Sequence, residues 1–256
     1  MDLKLKGKKA IVLGGTRGIG RAIAQTLADE GADVAICARG ADALPEAIAD
    51  LEGRGVRALG GAVDISDGEA LKTWVKSAGA DLGGIDVLVS NASALAHGGA
   101  PETFRACLEI DILGLVNAFE AAEPMLRDAA EKHGDASVVA IGSVSSVNAR
   151  DIDAYGAMKG ALIHAVKGMS KKMAPAHVRA NVVSPGTVYF KGGVWNTIEE
   201  NMPDMFKATM ERNPTGRMAT PQDIADATVF LASPRSSFTT GINMLVDGAI
   251  SDRANY

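Results

Sequence analysis

The chain predicts an α/β fold in which a mostly parallel, seven-stranded sheet is doubly wound, with helices on both faces. Two observations predict the winding. Short β-branched runs alternate with longer helical stretches along most of the sequence. Most of those runs carry apolar residues at consecutive positions, as strands covered on both faces do. A third observation predicts a single domain spanning 1–256: no internal repeat, low-complexity tract or linker interrupts the pattern.

The elements follow in order. Strands are expected at 9–13, 33–37, 56–63, 86–90, 137–141, 179–184 and 243–246. Helical stretches fall between them, near 19–30, 42–53, 67–80, 101–130, 153–174 and 221–232. Two helix starts are well marked. Ser66-Asp67-Gly68-Glu69 reads as a capping box, and Thr220-Pro221 sets a cap residue before a proline at the first helical position. Between Pro185 and Pro221 the rhythm lapses, and a further helical stretch runs to about Arg212.

Composition narrows the function classes. The net charge of -5 offers no basic face for nucleic acid. Met1 to Lys6 alternate charge with leucine and lack the apolar core of a signal peptide, and no apolar run approaches the roughly 18 residues of a membrane span. Cys37 and Cys107 are too few for a disulfide framework, and Cys37 reads as a buried thiol. His97, His133, His164 and His177 lack metal-ligand spacing, so no metal site is expected. A cytoplasmic protein without a membrane partner is the expectation.

The first strand runs into Gly14-Gly15-Thr16-Arg17-Gly18-Ile19-Gly20, and a helix follows at once. Glycines let the backbone turn sharply against a pyrophosphate, and the helix N-terminus offers free N–H groups and partial positive charge. In this position the turn predicts dinucleotide binding on a Rossmann-type domain. Sites that hold NAD place a carboxylate near the end of the second strand, for the ribose 2′-hydroxyl. Here that strand ends Ile36-Cys37-Ala38-Arg39. Arg39 and Arg17 are suited to a 2′-phosphate, which favours NADP(H), although both also suit a solvated surface. Asp64 has two open roles: accepting a bond from the adenine amino group, or helping to start the next helix.

Ile141-Gly142-Ser143 closes the fifth strand, and Tyr155-Gly156-Ala157-Met158-Lys159 lies on the helix that follows. Residues four apart share a helix face, so Tyr155 and Lys159 point into one site. Free tyrosine, with a pKa of about 10, is a poor proton carrier at neutral pH. A neighbouring ammonium favours the phenolate, and a serine hydroxyl can hold the same substrate oxygen.

With these residues in view, the chain resembles the short-chain dehydrogenase/reductase family over almost its whole length. The resemblance rests on the glycine turn, Asn91-Ala92, Ser143, Tyr155 with Lys159, Pro185-Gly186, Gly216-Arg217 before Pro221, Thr240-Gly241 and Val246-Asp247-Gly248. It implies that Tyr155 is the proton donor and acceptor, that Ser143 positions the substrate oxygen, and that Lys159 assists the tyrosine and holds the nicotinamide ribose. Gly14, Thr16, Arg17, Gly18, Ile19, Gly20, Arg39, Asp64, Ile65, Asn91, Pro185, Gly186 and Val188 would line the NADP(H) site. It also implies a lid at about 188–215 and assembly as a homotetramer or homodimer. The small residues Gly156, Gly160, Ala161, Ala165 and Gly168 would permit close helix contact, and the segment after Gly248 would assist assembly.

Several positions depart from the family. Leu13 and Phe190 stand where threonines are common, and Ser90 and Ser93 flank Asn91. The most consequential is Asp111, where an asparagine usually kinks the helix and joins a proton relay; a carboxylate keeps the acceptor, loses the donor and can pair with Lys159. The lid gathers Tyr189, Phe190, Trp195 and Phe206 with Met202, Met205 and Met210, while Gly192-Gly193 suits a hinge. Those side chains either face a bulky apolar ketone or secondary alcohol, or anchor the lid. The rival enzyme is a 3-oxoacyl carrier-protein reductase, with Arg150, Lys171 and Lys172 as docking residues near the entrance. A non-catalytic dinucleotide sensor is the reading from a different class.

Overall fold

In the computed structural model, which describes residues 1–148 and 151–252, strand and helix alternate from the first element. The strands are β1 Lys9–Leu13, β2 Asp33–Ala38, β3 Ala58–Ala62, β4 Val87–Ser90, β5 Ala136–Ile141, β6 Val178–Pro185 and β7 Asn243–Val246. The helices are α1 Gly18–Asp29, α2 Leu44–Glu52, α3 Gly68–Leu82, α4 Pro101–Cys107, α5 Gly114–His133, α6 Ala154–Met173, α7 Val194–Asn201, α8 Pro203–Arg212 and α9 Pro221–Ala232. One sheet holds all seven strands in the order β3-β2-β1-β4-β5-β6-β7, and every pairing is parallel. This is the doubly wound Rossmann-type architecture that the alternation predicts, and its strand order reverses between β1 and β4.

Period-two alternation splits the core into two layers. Ile11 and Leu13 of β1 face one layer, with Leu71 and Val75 of α3, Leu115 and Leu126 of α5, and Leu162 and Val166 of α6. Ala10 and Val12 face the other, with Ile23 and Leu27 of α1, Leu51 of α2, and Ile224 and Val229 of α9. Because both faces are covered, the strands need consecutive apolar residues, and that need is why they were legible.

Three local expectations are corrected. The strand expected at 56–63 spans only Ala58–Ala62, an edge strand whose Gly60 and Gly61 are crowded by Ile48 and Trp74. The capping box expected from Ser66 does not form; Asp67 is the cap of α3 and accepts from the Ala70 amide at 3.0 Å. Ser66 instead donates to Asp64 Oδ1 from its hydroxyl at 2.7 Å and its amide at 3.0 Å. The continuous helix expected near 101–130 is broken: α4 and α5 are joined by a wide π-helical stretch, Leu108–Leu113. Such stretches concentrate at functional positions, and this one contains Asp111. At its end Gly114 admits Ile65, whose Cγ2 lies 2.4 Å from where a β-carbon would stand.

After β6 the chain leaves the sheet and returns. Val188 forms a parallel bridge with Ala219, the Tyr189 amide donates to the Ala219 carbonyl at 2.8 Å, and the Ala219 amide to Thr187 at 2.9 Å. The excursion carrying α7 and α8 is therefore clasped at its base. Helix α8 has no buried residue, and Val194, Met202 and Met205 are exposed.

Candidate active site

The predicted site residues converge because parallel strands all end on the same edge of the sheet. Gly14 follows β1, Arg39 follows β2, Asp64 and Ile65 lie beyond β3, Asn91 follows β4, Ser143 lies beyond β5, and Pro185 ends β6. Ligands of open α/β sheets bind at that edge, where the strand order reverses.

At the reversal the backbone turns sharply. Gly14 has φ +75° and Gly18 φ +54°, and the Gly14 and Gly15 amides donate to the Cys37 carbonyl at 3.0 and 3.1 Å. A β-carbon on Gly20 would stand 2.0 Å from the Gly14 oxygen and 2.4 Å from Asn91 Nδ2. Asn91 Nδ2 donates to that same Gly14 oxygen at 2.9 Å, so it braces the turn from β4. Arg17 holds the cap position of α1 in extended geometry and gives no side-chain cap, which leaves the first α1 amides for an anion. The cradle fits a dinucleotide diphosphate. Thr16 is half-buried within the turn, Ile19 packs on the core, and Arg17 and Arg39 are exposed. Ser66 hydrogen bonds, opposed by burial and aided by Arg39, hold the Asp64 carboxyl below its ordinary range. Both Ser66 bonds fall on Asp64 Oδ1 and shape the turn before α3.

The titratable centre sits between β5 and α6. Lys159 is buried, and its Nζ donates to the Ile141 carbonyl at 2.8 Å and stands 2.9 Å from Asp111 Oδ1. The second Asp111 oxygen accepts the Ala94 amide at 3.0 Å, which ties the loop after β4 to the π-helical stretch. An aspartate thus retains the acceptor and pairs with the lysine as expected. Lys159 Nζ lies 5.7 Å from the centroid of the half-buried Tyr155 ring. Ser143 Oγ accepts the Ser145 amide at 3.1 Å, which leaves its own proton to donate. Sequence reasoning missed two neighbours. The His97 ring meets the Tyr155 ring in a tilted contact, with centroids 4.8 Å apart, and Asp153 caps α6 and meets His97 Nδ1 at 3.3 Å. An aspartate before a helix is a readable cap signal; a histidine in an aperiodic loop carries none.

On the far side, Gly186 is pressed against Asp247, whose Cα lies 2.8 Å from where a β-carbon would be, and Val188 is buried at the base of the clasp. Phe190 rests its ring on Gly18 and Gly193, both of which must lack a side chain to admit it.

The proposed carrier-protein docking residues are not at this entrance. Lys171 and Lys172 occupy the last turn of α6, about 24 Å along the helix from Tyr155 at 1.5 Å per residue. Lys172 also pairs with Glu123 at 2.5 Å. Arg150 lies outside the described residues.

Comparisons with known proteins place the chain in a family. A family model described as enoyl-(acyl carrier protein) reductase, a short-chain dehydrogenase/reductase group, matches residues 14–251. The chain is 36% identical to isoepoxydon dehydrogenase of Penicillium expansum, over 96% of this chain and 95% of that protein. It is 30% identical to 7α-hydroxysteroid dehydrogenase of Escherichia coli, again over 96% and 95%. The crystal structure of L-sorbose reductase from Gluconobacter frateurii, complexed with NADPH and L-sorbose, superposes with TM-score 0.89 at 28% identity, covering 99% of this chain and 100% of that one. The chain belongs to the short-chain dehydrogenase/reductase family and is an oxidoreductase.

Proposed function

We propose that the protein interconverts a ketone and a secondary alcohol with NADP(H), on a fairly bulky and largely apolar substrate. The observation that carries the chemistry is the meeting of Tyr155, Ser143 and the Lys159–Asp111 pair at one strand edge. Tyr155 gives a proton to the substrate oxygen, or takes one from it, and the free Ser143 proton orients that oxygen. Lys159, fixed by Asp111 and Ile141, would hold the nicotinamide ribose beside Tyr155. When bound, the nicotinamide supplies or accepts the hydride. Asp111 offsets part of the field that the ammonium would otherwise exert on the tyrosine.

Support for NADP(H) comes from Arg39 at the end of β2, where no carboxylate stands, and from the NADPH in the L-sorbose reductase complex. Support for an apolar substrate comes from exposed Leu95, Val194, Met202 and Met205 on the loop after β4 and on the excursion, which we read as a lid. The test is oxidation of NADPH and NADH by purified protein over ketones from acetone-sized to steroid-sized. Turnover of bulky ketones with NADPH is expected, and Tyr155→Phe should lose it by at least about a hundredfold while cofactor binding persists. Turnover confined to sugars or polyols would overturn the substrate reading. Equal turnover by the variant would overturn the mechanism.

A further inference from the structure

The loop leaving β4 is fastened to the start of α6 by a set of bonds that the proton-carrying centre alone does not require. Asp153 Oδ2 accepts the Gly156 amide at 3.0 Å, which is its capping bond. Its other oxygen accepts the Gly98 amide at 2.9 Å, and the Ala154 amide donates back to the Gly98 carbonyl at 3.0 Å. Burial raises the Asp153 carboxyl, but the amides of Gly98 and Gly156, with His97, outweigh it and hold it below its ordinary range. Within the loop Leu95 adopts φ +50°, a left-handed conformation that a leucine takes only where its surroundings impose it.

The product of this fastening is the placement of one imidazole. His97 Nδ1 lies 3.3 Å from Asp153 Oδ1, and its ring meets the Tyr155 ring at 4.8 Å with a tilt of 49°. In the neutral ring, an ionised carboxylate at Nδ1 selects the tautomer that carries the proton there, and Nε2 on the opposite edge then presents a lone pair. The His97 side chain is 59% exposed, so that lone pair is open to a bound molecule. Rings with centroids 4.8 Å apart are close enough to serve two oxygens on adjacent carbons of one substrate.

We infer that His97, oriented by Asp153, is a specificity-determining residue whose Nε2 accepts a hydrogen bond from a hydroxyl on the carbon next to the reacting carbonyl. The preferred substrates are α-hydroxy ketones and the corresponding vicinal diols, with the remainder of the molecule apolar. This rests on the reading of Tyr155 as the proton carrier.

The experiment compares ketone pairs that differ by that one hydroxyl: acetone with hydroxyacetone, cyclohexanone with 2-hydroxycyclohexanone, and deoxybenzoin with benzoin. Wild-type protein should favour the hydroxylated member by about tenfold in kcat/KM, the worth of one well-placed hydrogen bond. His97→Phe should bring that ratio close to one, and His97→Gln, whose amide oxygen still accepts, should restore part of it. Thermal melts of both variants separate this effect from unfolding, and Asp153→Asn, which keeps the helix cap, should lower the same ratio. A wild-type ratio near one, or a ratio unmoved by His97→Phe, overturns the inference alone. No turnover of any pair by wild-type protein overturns the oxidoreduction proposed for Tyr155, and the inference with it.

Discussion

Gly20 has no room for a methyl group. The position such a group would take lies 2.0 Å from the Gly14 oxygen, so Gly20→Ala must separate the turn after β1 from Asn91. We expect at least about tenfold weaker binding of reduced nicotinamide dinucleotide, read by fluorescence titration. Unchanged affinity would remove the turn from the binding site. The need for glycine at this place was readable from spacing alone, as was the Tyr155/Lys159 pair, since four residues on a helix always share a face. Burial of Cys37 was readable too: it pushes the thiol up to about 11, against the opposing Gly14 amide. The Asp111–Lys159 contact was visible only as a departure from a familiar pattern, and nothing in the spacing linked His97 to Tyr155. Both contacts join residues far apart in sequence, and no local periodicity records such a distance.

Element boundaries follow caps, and α9 shows why some are easily read. Thr220 and Asp223 form a reciprocal capping box, with the Asp223 amide donating to the threonine hydroxyl at 3.3 Å and the Thr220 amide to Asp223 Oδ2 at 2.7 Å. Arg217 adds two bonds to the same carboxylate, at 2.7 and 3.0 Å. Arg217 first, then the Thr220 amide and hydroxyl, hold the Asp223 carboxyl well below its usual range, against the opposing effect of burial. The sign follows from proton uptake. Around pH 3 the folded chain leaves Asp223 ionised while an unfolded chain, with a carboxylate near about 4, binds a proton. The stabilisation is complete above that value and is lost as pH falls below it. Asp223→Asn should therefore flatten the decline of urea-unfolding stability between pH 5 and about 2, and an unaltered slope would refute the assignment. The capping box expected at Ser66 failed because Asp64 captured the Ser66 hydroxyl first, a competition between neighbours that a four-residue motif does not describe. The break between α4 and α5 escaped prediction for another reason: a π-helical stretch keeps the apolar character of a helix and changes only its hydrogen-bond partners.

At the scale of the molecule, the edge of the sheet opposite the site is tied by one arginine. Arg179 of β6 is buried and bonds Asp135 Oδ1 at 2.7 Å and Oδ2 at 3.0 Å. It also donates to the carbonyls of Leu231, Ala232 and Ser233 at the end of α9, and to the Ser236 hydroxyl. Removing one partner of such a pair leaves an uncompensated charge and several unmet acceptors. Arg179→Ala should cost about 3–5 kcal/mol of unfolding free energy in urea, and a loss under about 1 kcal/mol would place the pair among those of little consequence. By itself the sequence determined the succession of strands and helices, the glycine turn, the tyrosine and lysine on one helix face and the buried character of the strands, because each is written in the spacing of adjacent residues. Tertiary structure alone decided the seat of Phe190 on Gly18 and the tilted contact of His97 with Tyr155, and it fixed the strand order and the Asp111–Lys159 pairing that the sequence left as expectations. Those depend on which strand ends meet at one edge, and that choice is made by burying two apolar faces at once.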